Sequence, residues 1–308
     1  MPLDPDLAVF IGEVEKKRGR PVSEMTIPEA RAGMRALRVD SVRPEDVVRI
    51  GAVTDAVLDD LPVRVYRPAA VDGPVATVVY LHGGGWFRGD IDTHDQVVRR
   101  LVRDTGAVFV SVDYRLAPEH PWPAATHDAV RAVRAVAARL ESYGGSDVLA
   151  VAGDSAGGNL AAIATQVLRG EVEIAAQLLI YPATDLLGHH PSKDEFGTGH
   201  LLTTEMTDYI NTLYFSGEAP APGDWRHSPL HGDLTGPFDV GRATRLTDSS
   251  LYAGRLVQDR SGTWNLLAFA NHDESGDFVG GLCDPIPVAW SGDTLTCERT
   301  PAPLPSAV

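Results

Sequence analysis

The chain has 308 residues, 44% hydrophobic and 22% charged, with a formal net charge of -15. Such a length predicts one large α/β domain, or one domain with a small appendage. The acidity argues against a nucleic-acid partner, which needs clustered Lys and Arg against phosphate, and against docking on anionic membranes; its plain reading is a solvated surface.

No run approaches the ~18 apolar residues of a membrane span. Residues 1–10 lack a basic stretch followed by an apolar one, so no signal peptide is read. The two cysteines, Cys283 and Cys297, make neither a disulfide scaffold nor a metal site by their spacing, and nothing in the sequence supports a single bridge between them. A cytoplasmic location is expected. Oligomeric state is not written in the sequence.

In chain order, Leu7, Phe10, Ile11 and Val14 recur at helical spacing, and Pro28-Glu29-Ala30 opens a second helical run to Arg38. The pair reads equally as a helical cap over a pocket or as helices packed on a core. Residues 62–67 alternate as a strand. Residues 77–81, 108–112, 148–152 and 175–181 are apolar runs expected of strands buried on both faces. Between them, 127–140 and 158–168 read as helices. Buried strands alternating with helices predict parallel βαβ units and a mostly parallel α/β sheet. Residues 185–236 are mixed, with Pro and Gly punctuation. Beyond them the pattern changes: 251–257 and 263–269 flank Asp259-Arg260-Ser261-Gly262 as a β-hairpin. The Pro-rich stretch 300–308 is expected to be disordered.

Two motifs carry chemistry. Gly153-Asp154-Ser155-Ala156-Gly157 follows a buried strand and precedes a helical run. G-x-S-x-G in that context lifts a serine hydroxyl above the strand end, with a helix N-terminus beneath it. Its bland alternative is a Gly-rich βα turn without chemistry. His82-Gly83-Gly84-Gly85-Trp86 ends the 77–81 strand, and its glycines let backbone N–H groups face an oxyanion. Gly83, Gly84 and the N–H of Ala156 are the expected oxyanion-hole donors. His82 is read as orienting the loop rather than as a general base, and Asp154 as a supporting member of the serine motif. The glycine loop alone reads equally as a phosphate loop; followed by G-x-S-x-G, it points to acyl transfer.

With these motifs, Asp113-Tyr114-Arg115-Leu116-Ala117-Pro118-Glu119-His120 and Tyr181-Pro182, the chain from residue 1 to about 236 resembles the hormone-sensitive-lipase-like family of α/β-hydrolase esterases. The resemblance implies an α/β-hydrolase core over 41–236, an N-terminal helical cap over 1–40, and residues 113–121 as a buried brace of the sheet. It implies a small-molecule ester of short to medium acyl chain as substrate, with Ser155 as nucleophile and no cofactor or metal.

In that family the orienting acid and the histidine base follow the serine, in segments resembling D-P-L-x-D-E and H-G-F. Neither motif stands in 237–308. His272 is the one histidine there, in Asn271-His272-Asp273-Glu274, and Asp248 lies 24 residues before it. They are the substitute candidates for base and acid, against the plainer reading of a polar hairpin turn. His227 and His231 precede the change of pattern, where the family places no base, and Asp185 has no assigned role. Residues 237–297, through Leu251-Tyr252-Ala253-Gly254-Arg255-Leu256, Gly262-Thr263-Trp264, Phe278-Val279-Gly280 and Asp284-Pro285, resemble the end of a β-propeller glycosidase that cleaves fructosides or sucrose. Its catalytic carboxylates lie in blades that this chain lacks, so no residue is carried over, and the segment is too short to close a propeller. The expected composite is an esterase-like body joined near Gly236 to an atypical β-rich tail, 237–308. Three functions follow: an active serine carboxylesterase, a catalytically impaired hydrolase-like binding protein, and, far behind, a fructoside-binding or glycosidase protein.

Overall fold

The computed structural model describes residues 5–18, 20–216 and 220–233, and beyond them the strands within 251–297. The chain forms two compact units, Met1–Leu234 and Thr235–Val308.

The first unit is built on a six-stranded sheet in the order β1-β2-β4-β3-β5-β6. Its strands are β1 (Ala52–Leu58), β2 (Leu61–Arg67), β3 (Val75–Leu81), β4 (Val108–Val112), β5 (Gly145–Asp154) and β6 (Ala176–Ile180). β1 to β2 and β2 to β4 are antiparallel. β4, β3, β5 and β6 run parallel. The parallel strands are joined by α3 (Asp95–Thr105), α4 (Ala124–Ala137) and α5 (Ala156–Val167).

Strand side chains alternate between faces, and here each face meets helices. Val79, Leu81, Val110, Val112 and Val151 share one core with Val133 of α4 and Leu160 of α5. Their chain neighbours Val78, Tyr80, Phe109 and Ala152 form the other with Val98 and Val102 of α3. Residues 77–81 and 108–112 therefore read as solid apolar runs because both faces are covered.

β6 departs from expectation. Ala176, Gln177 and Leu178 are exposed, and Leu179 and Ile180 half-buried. Its ladder partner is β5 alone among the described residues, so this apolar run is an edge strand, not a doubly covered one. The expected brace at 113–121 is also only partly buried: Tyr114 and Ala117 are inside, whereas Arg115 and Pro118 to His120 are exposed.

The N-terminal helices are α1 (Pro5–Arg18) and α2 (Ile27–Arg35), the latter running on into a π-helical turn, Ala36–Asp40. A capping box starts α2: the Glu29 N–H donates to Thr26 Oγ1 at 3.4 Å and the Thr26 N–H to Glu29 Oε2 at 2.8 Å. From α2, Arg31 reaches the glycine-loop exit. Its Nε donates to the Phe87 carbonyl at 2.8 Å, Nη2 to the Ala117 carbonyl at 3.0 Å, and both terminal nitrogens to Glu119. Gly33 lies exposed within α2, and a Cβ there meets nothing within 4 Å. Gly33→Ala is therefore expected to stabilise the protein by about 0.5–1 kcal/mol, by removing unfolded-chain entropy. A urea titration that shows an unchanged or lower midpoint contradicts this.

Sequence patterning passed over β1, α3, α6 (Pro191–Phe196) and α7 (Thr204–Phe215). α7 buries Met206, Ile210 and Tyr214 at i, i+4 and i+8, and Tyr214 stacks on Trp86 at 4.3 Å between ring centroids. It thus packs on the residue that closes the glycine loop.

The described strands of the second unit pair antiparallel. Its strands are β7 (Leu251–Gln258), β8 (Trp264–His272), β9 (Phe278–Leu282), β10 (Ile286–Ser291) and β11 (Thr294–Cys297). β7 and β8 form the expected hairpin, with Gln258 opposite Trp264. β8 also pairs with β9 and β10, and β10 with β11. Asp248, Cys283 and residues 300–308 lie outside the described residues.

Candidate active site

Ser155 stands between the last residue of β5 and the first of α5, with φ 53° and ψ −115°. A non-glycine residue at positive φ costs about 1–3 kcal/mol and persists only where its surroundings enforce it. The enforcement is visible. The Ser155 N–H donates to the Ile180 carbonyl at 2.9 Å, and the Ser155 carbonyl accepts from Asn159 at 3.0 Å and Ala183 at 3.3 Å. The flanking glycines are obligatory for packing: a Cβ on Gly153 would run into the Gly157 carbonyl, and one on Gly157 into the Leu81 carbonyl. Although Ser155 holds the N-cap position of α5, its side chain makes no capping hydrogen bond. The hydroxyl is left for other work above a helix N-terminus that favours negative charge. Two neighbouring residues are also at positive φ, Trp86 at 59° and Tyr181 at 37°.

The glycine loop lies against this turn through Asp154. Its Oδ1 accepts from Tyr80 Oη at 2.7 Å and from the Gly83 N–H at 2.8 Å. The amide of Gly83, one of the expected oxyanion-hole donors, is thus engaged by Asp154. The amides of Gly84, Gly85 and Ala156 donate to no protein acceptor among the described residues. Gly84 and Gly85 take φ 131° and 66°, which a side chain rarely adopts. At Gly84 a Cβ would also strike the Arg88 carbonyl.

His82 is fully buried and stacks on Tyr114 at 4.2 Å between centroids. Its Nδ1 lies 2.9 Å from the Gly83 carbonyl, while Tyr114 Oη donates to the His82 carbonyl at 2.7 Å. Burial, then the nearby His94, pushes the His82 imidazole down to about 4. It is therefore neutral near pH 7. Because its folded pKa lies below the ordinary 6.5, the contribution is complete above pH 6.5 and is lost as pH falls toward 4. Wild type is expected to lose up to about 3 kcal/mol over that window from this group. Comparing urea midpoints of wild type and His82→Gln at pH 7.5 and 4.5 checks it: the variant should lose less on acidification, and an equal loss contradicts the assignment.

Asp154 is 4% exposed. Burial alone would raise its carboxyl, but His94, the Tyr80 hydroxyl and the Gly83 N–H together hold it down at about 2. The site thus keeps a buried carboxylate directly before the serine. His94, which sequence reading missed, lies behind it.

His272 ends β8 in the second unit, opposite Phe278 of β9. Asp185 receives two imidazoles, His190 Nε2 at 3.0 Å and His231 Nε2 at 3.3 Å. His227 is buried, with Nδ1 2.8 Å from Ser228 Oγ. An apolar hollow of about 380 Å³, lined by Trp122, Val130, Ile163, Val167 and Trp225, runs along α4 and α5. Its α5 residues stand roughly 12–18 Å along the helix from Ser155, away from the serine turn.

A parallel sheet with a serine on a strained strand-to-helix turn, faced by a glycine loop, defines an α/β hydrolase. A profile for the alpha/beta hydrolase fold matches residues 78–249. The chain belongs to this family. The match runs past Gly236, where the sequence reading placed a junction. Among similar proteins, the ethyl acetate hydrolase of Pseudomonas putida is 36% identical over 250 residues, 76% of this chain and 77% of that protein. The carboxylic ester hydrolase LipN of Mycobacterium tuberculosis is 42% identical over 179 residues; these are 56% of this chain but only 47% of LipN, so the chain spans about half of that relative. The solved hyperthermophilic esterase from the archaeon Pyrobaculum calidifontis superposes with a TM-score of 0.69 at 37% identity, covering 76% of this chain and 77% of that one. No described helix is long and apolar enough to cross a membrane.

Proposed function

We propose that this chain is a serine carboxylesterase that hydrolyses small esters of short to medium acyl chain through an acyl-enzyme on Ser155. The observation that carries the reading is the strained Ser155 turn, its hydroxyl unused by helix capping, beside a glycine loop whose next two amides have no protein acceptor among the described residues. The names of the similar proteins support the same reaction class.

In this reading Ser155 Oγ attacks the ester carbonyl and the developing oxyanion is met by the N–H groups of Gly84, Gly85 and Ala156. Gly84 and Ala156 are kept from the sequence assignment, and Gly85 takes the place of Gly83. The serine proton passes to a general base and on to the leaving alcohol; water then releases the acid by the reverse route. His272 and Asp248 are the proposed base and orienting acid. α2, held to the loop exit by Arg31, and α7, stacked on Trp86, serve as the cap.

A second reading is a hydrolase-like binding protein that keeps the pocket but turns over slowly. It is favoured by the sequence of 237–308, in which the family's D-P-L-x-D-E and H-G-F segments are not found. The resemblance of residues 237–297 to the end of a propeller glycosidase finds no support among the similar proteins, which are esterases, and no carboxylate pair for glycoside cleavage can be assigned. A p-nitrophenyl butyrate assay with His272→Ala separates the two. Loss of about 10³-fold or more gives the tail a catalytic role, while slow wild-type turnover unchanged by the substitution favours the binding protein.

A further inference from the structure

His94 has no place in the reaction as described, yet it is completely buried and directed at the carboxylate beside the nucleophile. It is 0% exposed and immediately precedes α3. Its Nε2 lies 3.5 Å from Asp154 Oδ2 and has no closer polar partner among the described residues. On the other side of the ring, Nδ1 is 3.1 Å from Thr93 Oγ1 and 3.3 Å from the Asp90 carbonyl. The turn that carries it is closed by its own bonds, Asp90 N–H to Thr93 Oγ1 at 2.8 Å and Thr93 N–H to Asp90 Oδ1 at 2.7 Å. Space around the ring is full: a Cβ on Gly89 would come within 3.1 Å of His82 Nδ1 and 3.4 Å of His94 Cε1.

Asp154 therefore joins three segments. Oδ1 holds β3 through Tyr80 and the glycine loop through Gly83, and Oδ2 faces the entrance of α3 through His94. A buried carboxylate oxygen left without a donor is costly, and a carboxylate can turn about its Cβ–Cγ bond to find another. If it turns, the Gly83 amide moves with it, and the two following amides move too. We propose that His94 is a positioning residue: an Nε2–H directed at Oδ2 fixes the orientation of Asp154 and, through the Gly83 amide, the aim of the glycine loop. The inference rests on the esterase reading for its consequence in catalysis, but not for the clamp itself.

The experiment follows the clamp and its consequence separately in the full chain. Hydrogen exchange of residues 81–89 is compared in wild type, His94→Leu, His94→Gln and His94→Asn, beside kcat and KM on p-nitrophenyl butyrate. The Gln side chain reaches Asp154 with an N–H; Asn is too short. His94→Leu and His94→Asn are expected to speed exchange in 81–89 and to lower kcat about 10- to 100-fold with KM within about twofold, as for a displaced oxyanion donor. His94→Gln is expected to restore most of both. Should His94→Leu fail to fold, the Gln and Asn pair decides. If wild type shows no turnover that depends on Ser155, the esterase reading has failed, and loop exchange still judges the clamp. Equal exchange in wild type and folded variants, or equal behaviour of Gln and Asn, overturns the proposal. So does faster loop exchange with kcat unchanged in an active enzyme.

Discussion

Ser155→Ala is expected to lower kcat on p-nitrophenyl butyrate by about 10⁴- to 10⁶-fold while KM changes little. A nucleophile lost from a covalent mechanism leaves only binding and oxyanion stabilisation. The fold should be untouched, because the turn is enforced by backbone bonds to Ile180, Asn159 and Ala183 and not by the hydroxyl. The alanine variant would keep the same positive φ and the same strain. Ser155→Gly would relieve it, and that variant is expected to be equally inactive but about 1 kcal/mol more stable. Thermal unfolding of the three proteins beside their rates checks both halves. Undiminished turnover in Ser155→Ala would move the chemistry elsewhere.

The largest stability effect is expected at Gly157, not at the serine. A Cβ there would sit inside van der Waals distance of the Leu81 and His82 carbonyls, so α5 lies directly against the end of β3. Both contacts are with backbone atoms in the middle of the core, so no side-chain rotation can relieve them. Gly157→Ala should cost about 4 kcal/mol or more, at the extreme of single substitutions, with a fall in Tm of about 10 °C or failure to accumulate soluble protein. By contrast, α5 itself would gain from alanine as a helix former. A variant with unchanged Tm would mean that α5 and β3 do not approach so closely.

The parts of the fold legible in the sequence were those whose two faces meet the same kind of environment. Residues 77–81 and 108–112 are covered by helices on both sides, so apolarity alone marks them. The serine turn was legible because its small residues are forced by local backbone contact. β6 was misread for the converse reason: an apolar run carries no sign of whether a neighbour lies beyond it. α7 was missed because its buried positions, Met206, Ile210 and Tyr214, are interspersed with Thr207, Asp208, Asn211 and Thr212 and anchored on Trp86 and Trp122, which are distant in sequence. The engagement of the Gly83 amide was hidden on the same principle. Three consecutive glycines look alike in sequence, and which amide is spent is decided by Asp154, 71 positions away. His94 carries no motif; burial beside Asp154 is what singles it out.

The central claim is that Ser155 is an activated nucleophile. It is tested most directly by treating the purified chain with a fluorophosphonate ester and locating the adduct by peptide mass spectrometry. The esterase account predicts one phosphonyl group per chain, on Ser155, formed within minutes and absent from Ser155→Ala. A chain that stays unmodified, or that is labelled equally in Ser155→Ala, would contradict it.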